Sequence, residues 1–139
     1  MARRGLDRAR VLATAGDIAD AEGLAAVTVA RVASELGVRG PSLYNHIPGR
    51  SGLAHGIATE ALRELTAGLR DASVGRSGSD ALLNAAQAYR AYARAHPGRY
   101  AAMQRAPAPG DQDELAAAGR EIVEAPAAAM DRAIRRAER

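Results

Sequence analysis

The chain has 139 residues and a formal net charge of +3, the length of one ordinary domain. Ala, Arg, Leu and Glu fill 74 of the 139 positions, a helix-former majority with too few β-branched and aromatic residues for a sheet protein, so an all-α fold is expected. With no Cys there is no disulfide framework and no thiolate metal site; Arg3 and Arg4 are followed by Leu6-Asp7-Arg8 rather than an apolar stretch, and no run approaches a membrane span, so the chain is expected to be cytoplasmic, with no signal segment and no membrane partner.

In chain order, Val11, Leu12, Ala15, Ile18 and Ala19 repeat at the spacing of one helix face, which predicts a first helix from Leu6 to about Ala21. Gly23 stops it as a left-handed cap. Thr28 is a good N-cap for a second helix carrying Val29, Val32, Ala33 and Leu36, which Gly37 ends. Pro41 favours a first helical turn, so a short third helix is expected from Pro41 to His46, closed by Pro48-Gly49. A long fourth helix opens near Arg50 with the stripe Leu53, Ile57, Ala61, Leu65 and Leu69. Asp71 to Ser79 reads as a linker, and Ser79 as the cap of a fifth helix that ends at His96-Pro97-Gly98. A shorter helix passes through Tyr100 and Met103. The last segment, from Asp111, places Leu115, Ile122, Val123, Met130 and Ile134 on one side and is kinked or split at Pro126.

The informative stretch is Thr28 to Ile47. Two short helices joined by so brief a turn must cross steeply, the arrangement of a helix-turn-helix, in which the second helix is free to enter a DNA major groove. Leu36, Val38 and Leu43 would hold the pair against the first helix. Gly40, Ser42, Asn45 and His46 would face outward with Tyr44 at one edge; Gly and short polar side chains permit close approach to base edges, and Asn can read adenine through paired hydrogen bonds. On spacing alone, the alternative is a helical hairpin that binds protein and has no DNA target, the less favoured of the two readings. All 19 basic residues are Arg, a bias that a GC-rich genome also produces; four of them, Arg3, Arg4, Arg8 and Arg10, fall in the first ten positions.

The run Thr28-Val29-Ala30-Arg31-Val32-Ala33-Ser34-Glu35-Leu36-Gly37-Val38-Arg39-Gly40-Pro41-Ser42-Leu43-Tyr44-Asn45-His46-Ile47, followed by Arg50 and Leu53, resembles the DNA-binding segment of TetR/AcrR-family transcriptional regulators. The resemblance is dense over residues 8–65. The segment from Ala88 to Tyr100 resembles a regulator subgroup with a WHG-type C-terminal domain. The implied architecture is an N-terminal three-helix DNA-binding domain, residues 1–49, followed by a partial helical ligand-binding and dimerisation domain, residues 50–139.

The resemblance implies roles residue by residue. Thr28, Tyr44, His46 and Arg50 would hold backbone phosphates, with Arg50 standing where the family commonly has Lys. Base reading would fall to Arg39, Gly40, Pro41, Ser42 and Asn45. Arg3, Arg4 and Arg8 would form a flexible arm on phosphates or in the minor groove, or a solvated tail. Leu62, Tyr89, Tyr92, Tyr100, Met103, Ile122 and Val123 are candidates to line an effector cavity, and ordinary core packing explains them as well. Ile47 replaces an aromatic, and Ala30 is small where some relatives place a base-reading side chain. The family ends in two further long helices that form a dimer bundle, whereas this chain stops near the seventh; either it is truncated or the interface is built otherwise, and the scarcity of large aliphatics favours truncation.

The expected function is therefore that of a ligand-responsive transcriptional repressor, a homodimer on palindromic double-stranded DNA, with an unknown small-molecule inducer. No enzyme is expected: Ser42 and His46 lie one helical turn apart, but no acid is placed to orient the imidazole, and no phosphate-cradling loop appears. Neither a cofactor nor a metal is implied. His96, before Pro97 at a helix end, is expected to complement the helix dipole.

Overall fold

The computed structural model describes residues 5–105. Its elements are α1 (Arg8–Glu22), a 3-10 turn (Leu24–Ala26), α2 (Val29–Leu36), α3 (Gly40–Leu43), α4 (Arg50–Ser73), α5 (Gly78–Ala95) and α6 (Pro97–Arg105), with no strand among the described residues. The fold is all-α, as the composition implies. No helix among these residues is long and apolar enough to cross a membrane.

Local signals set the boundaries. The Asp7 side chain accepts from the Arg10 N–H at 2.7 Å and starts α1. Gly23 has the positive φ expected of it, 92°, but its ψ of 155° is extended, so it redirects the chain into the 3-10 turn instead of forming a left-handed cap. Gly37 does form that cap, with φ 68° and ψ 30°, and the Val38 N–H returns to the Ala33 carbonyl at 3.0 Å. α3 is shorter than expected: helical pairing ends at Leu43 and residues 44–46 continue as a turn, with the Ile47 N–H reaching the Leu43 carbonyl at 3.0 Å.

The interval between α4 and α5 is narrower than the composition of residues 71–79 suggests. Asp71, Ala72 and Ser73 remain helical, because nothing there forbids it before Gly75, which takes φ 72°. At the start of α5 it is Ser77, not Ser79, that occupies the N-cap position, and its side chain makes no capping bond. The segment from Asp111 onward, with its Pro126 kink, lies outside the described residues.

One core joins α1, α2 and α3, hereafter the head, to the helices behind them. Val11, Leu12, Ala15, Ile18 and Ala19 of α1 meet Val32 and Ala33 of α2, Leu43 of α3 and Ile47, and the same cluster continues into Leu53, Ile57 and Ala58 of α4 and Ala102 of α6. Among the described residues most positions of the stripes read from periodicity are buried; Val29, Leu36 and Val38 pack against the cluster half-buried, and Leu69 is half-buried too. Where large side chains are few, glycine allows close approach: a Cβ at Gly56 would run into the Leu12 side chain, so Leu12 of α1 lies directly against the α4 backbone at that point.

Candidate nucleic-acid interface

α3 is anchored by one face and offers the other. Leu43 is buried at 2% exposure, whereas its neighbour Tyr44 is 60% exposed. Arg39, Pro41 and Asn45 are exposed, and Gly40, Ser42 and His46 half-buried. These residues form a continuous outward strip over the turn and α3, polar or small except for Pro41 and Tyr44. The Cα of Gly49 lies under the Tyr44 ring, where an added Cβ would be 3.6 Å from Cε1, so the hinge after α3 backs the tyrosine.

Of the residues expected to hold phosphates, Tyr44 and His46 belong to this strip, while Thr28 and Arg50 have partners elsewhere. Thr28 caps α2: its Oγ1 accepts from the Arg31 N–H at 3.1 Å, which uses a lone pair and leaves the hydroxyl proton available to a phosphate. Arg50, exposed at the start of α4, donates from Nη2 to the Ala25 carbonyl at 3.3 Å; to clamp a phosphate it would exchange that single neutral partner for a charged one. Arg31 is tied into the head. It bridges Glu22 at 3.0 Å and Glu35 at 2.8 Å, and hydrogen bonding to Glu35 and then Glu22 raises its pKa above the ordinary guanidinium value. Of the expected arm, Arg8 is the first residue of α1 rather than part of a tail, and Arg3 and Arg4 lie outside the described residues.

The candidate effector-lining residues fall in two groups. Tyr89 and Tyr100 meet edge to face, ring centroids 6.1 Å apart. Tyr92 donates its hydroxyl to Glu64 at 2.8 Å, and burial together with that carboxylate pushes its pKa up. Leu62 and Met103 are half-buried. Ile122 and Val123 lie outside the described residues. The structure instead shows two grooves elsewhere, at the junction of the head with α4 and α6, and none of these tyrosines lines them.

Sequence reasoning missed the seam that joins α6 to the head. Arg99 is 9% exposed. Its Nη1 pairs with Asp20 Oδ2, its backbone N–H reaches Asp20 Oδ1 at 2.9 Å, and its Nη2 reaches Asp17 at 3.1 Å. His96 Nδ1 shares Asp20 Oδ2 at 2.8 Å, a partner the helix-dipole reading did not include. Burial by itself would raise the Asp20 pKa; the bonds from the Arg99 backbone, His96 and the Arg99 guanidinium outweigh it and hold the carboxyl below its ordinary value. Gly98 completes the seam, since a Cβ there would collide with the Ala19 carbonyl. The only advance signal was the sequence His96-Pro97-Gly98-Arg99 set against acids three apart at Asp17 and Asp20.

Comparison with known proteins supports the assignment of this architecture. Residues 82–139 match the family described as tetracyclin repressor-like, C-terminal domain. The uncharacterized HTH-type transcriptional regulator Rv0681 of Mycobacterium tuberculosis is 38% identical over 83% of this chain and 53% of its own length, and the uncharacterized HTH-type transcriptional regulator YobS of Bacillus subtilis 37% identical over 72% of this chain and 52% of its own. The chain thus spans about half the length of the curated relatives it matches. A solved protein of unknown function from Rhodococcus sp. RHA1 superposes with a TM-score of 0.73 at 27% identity, over 88% of this chain and 65% of its own. Residues 82–139 thus match a repressor-type C-terminal domain, and the chain is similar over most of its length to proteins named as HTH-type transcriptional regulators.

Proposed function

We propose that the chain is a sequence-specific DNA-binding regulator, a ligand-responsive repressor that acts as a homodimer on a two-fold operator. α3 enters the major groove. Arg39, Gly40, Pro41, Ser42 and Asn45 meet base edges, and Thr28, Tyr44, His46 and Arg50 hold the phosphates on either side. The observation that carries this reading is the outward strip on α3, with Leu43 buried behind it and Tyr44 at its edge. Two such heads would have to meet half-sites roughly 34 Å apart, so a small effector-driven change in their separation would release DNA; Leu62, Tyr89, Tyr92, Tyr100 and Met103 are the described side chains assigned to that effector.

Titration of duplex-DNA binding against salt tests the proposal. Phosphate neutralisation releases counterions, so affinity is expected to fall steeply and linearly on a log–log plot. A flat response, or no binding at all, would instead favour a helical module that docks on protein.

A further inference from the structure

The turn that leads into Thr28 forms one wall of a small groove. Leu24, Ala25 and Val27 line it together with Arg50 and Ala54 of α4 and Arg105 at the end of α6, around a volume of about 230 Å³. α6 reaches this turn as part of the core, since Ala102, one turn before Arg105, is buried in the same cluster as Val27. The Arg50 guanidinium lies over the turn as well, with Nη2 on the Ala25 carbonyl at 3.3 Å, a neutral partner. Arg50 and Arg105, both exposed, therefore converge on one groove, and among the described residues no Asp or Glu lines it. Other arginines of the molecule are differently placed: Arg31 sits between Glu22 and Glu35, and Arg99 between Asp17 and Asp20. Like charges brought to one groove repel, and an anion between them turns that repulsion into attraction. The dipole of α6 favours a cation in its last turn, which accounts for an arginine at position 105 but not for its convergence on Arg50.

We infer that Arg105 is a further contact of the DNA-binding surface and holds a backbone phosphate of the duplex beside the one assigned to Arg50. The inference rests on the operator reading, in which Thr28 and Arg50 hold phosphates. Val27 in the groove wall directly precedes Thr28, and Arg50 lines the groove itself, so Arg105 stands on the edge that these two define. A guanidinium suits a phosphate because two parallel N–H donors meet two oxygens. Such a contact fixes orientation and adds affinity without reading sequence. It also brings α6, a helix outside the head, onto DNA.

Fluorescence-anisotropy titrations of the full chain with a random-sequence duplex, repeated over a range of salt concentrations, test the inference. Arg105→Gln is expected to lower the salt slope by about one unit, the share of one neutralised phosphate. Arg105→Lys should keep the parent slope, because an ammonium holds phosphate as a point charge. Arg90→Gln, on the exposed side of α5, should match the parent. In an Arg50→Ala background, Arg105→Gln should remove about one unit more. Misfolding would lower affinity alike at every salt concentration and leave the slope, so it does not imitate the expected result. An unchanged slope in Arg105→Gln overturns the inference, as does an equal drop in Arg90→Gln, which would make the effect one of net charge. No further drop in the Arg50→Ala background would make Arg105 act only through Arg50, and overturns it too. A parent that binds no duplex removes the operator reading and this inference together, whereas a parent that binds while Arg105→Gln keeps its slope removes this inference alone.

Discussion

Asn45 and Arg50 lie five positions apart and are expected to fail in different ways. Asn45 is exposed on the outward strip of α3, so Asn45→Ala should cost about 1–3 kcal/mol on the preferred site and little on random duplex. Arg50 carries charge at the edge of the head, so Arg50→Ala should weaken all sequences alike and flatten the salt slope by about one unit. Competition binding with specific and random DNA separates the two; equal losses on both for Asn45→Ala would remove it from base reading. Asp20 gives a pH test of the seam. Its folded pKa lies below the ordinary 3.8, so its stabilisation is complete above that value and is lost as pH falls through the folded one. Asp20→Asn is expected to cost about 1–3 kcal/mol at neutral pH by leaving Arg99 and His96 short of a charged acceptor. In urea melts the gap between variant and parent should close under strong acid, where the parent carboxyl is neutral too.

Among the elements, α6 depends on α1 in a way that two glycines distinguish. A Cβ at Gly98 meets the Ala19 backbone, which cannot yield without moving a helix, whereas a Cβ at Gly16 meets the Arg99 guanidinium at 2.8 Å, a side-chain group that can shift at the expense of its bonds to Asp17 and Asp20 without moving a helix. Gly98→Ala is therefore expected to cost about 3 kcal/mol and Gly16→Ala about 1 kcal/mol, measured by thermal or chemical unfolding; equal costs would contradict the backbone contact. The same seam shows why sequence reading succeeded and failed where it did. Val11, Ala15 and Ile18, or Leu53, Ile57 and Leu65, announce themselves because burial on one helix face imposes a period. Thr28 and Gly37 are legible because capping needs particular residues at particular places. The Arg99–Asp20 pair spans 79 positions, and a single Arg or Gly carries no period, so nothing local reveals it. Composition overextends the linker for a related reason: Asp71 to Ser73 lack apolar spacing, yet an exposed helix end needs none.

In the whole molecule, a core poor in large side chains runs without interruption from the head into α4 and α6. That continuity makes the head a fixed part of the helical body at two places, the α1–α4 contact at Gly56 and the α1–α6 seam around Arg99. Packed side chains thus run from Ala102 of α6 to Leu43 of α3 within one cluster. The position of the outward strip was legible as well, because the alternation of Leu43 with polar neighbours follows from how a short helix must sit on two others. Its partner was not legible from burial: exposure shows what is offered, while DNA affinity depends on charge and shape in the complex.

The most direct check is to follow backbone amide NMR signals of the chain as a selected duplex DNA is added. The largest shifts should fall on Thr28, on Arg39 through His46 and on Arg50, with α5 unchanged. Shifts concentrated on α5 or α6 while Arg39 through His46 stay silent would contradict the assignment of α3 as the reading helix.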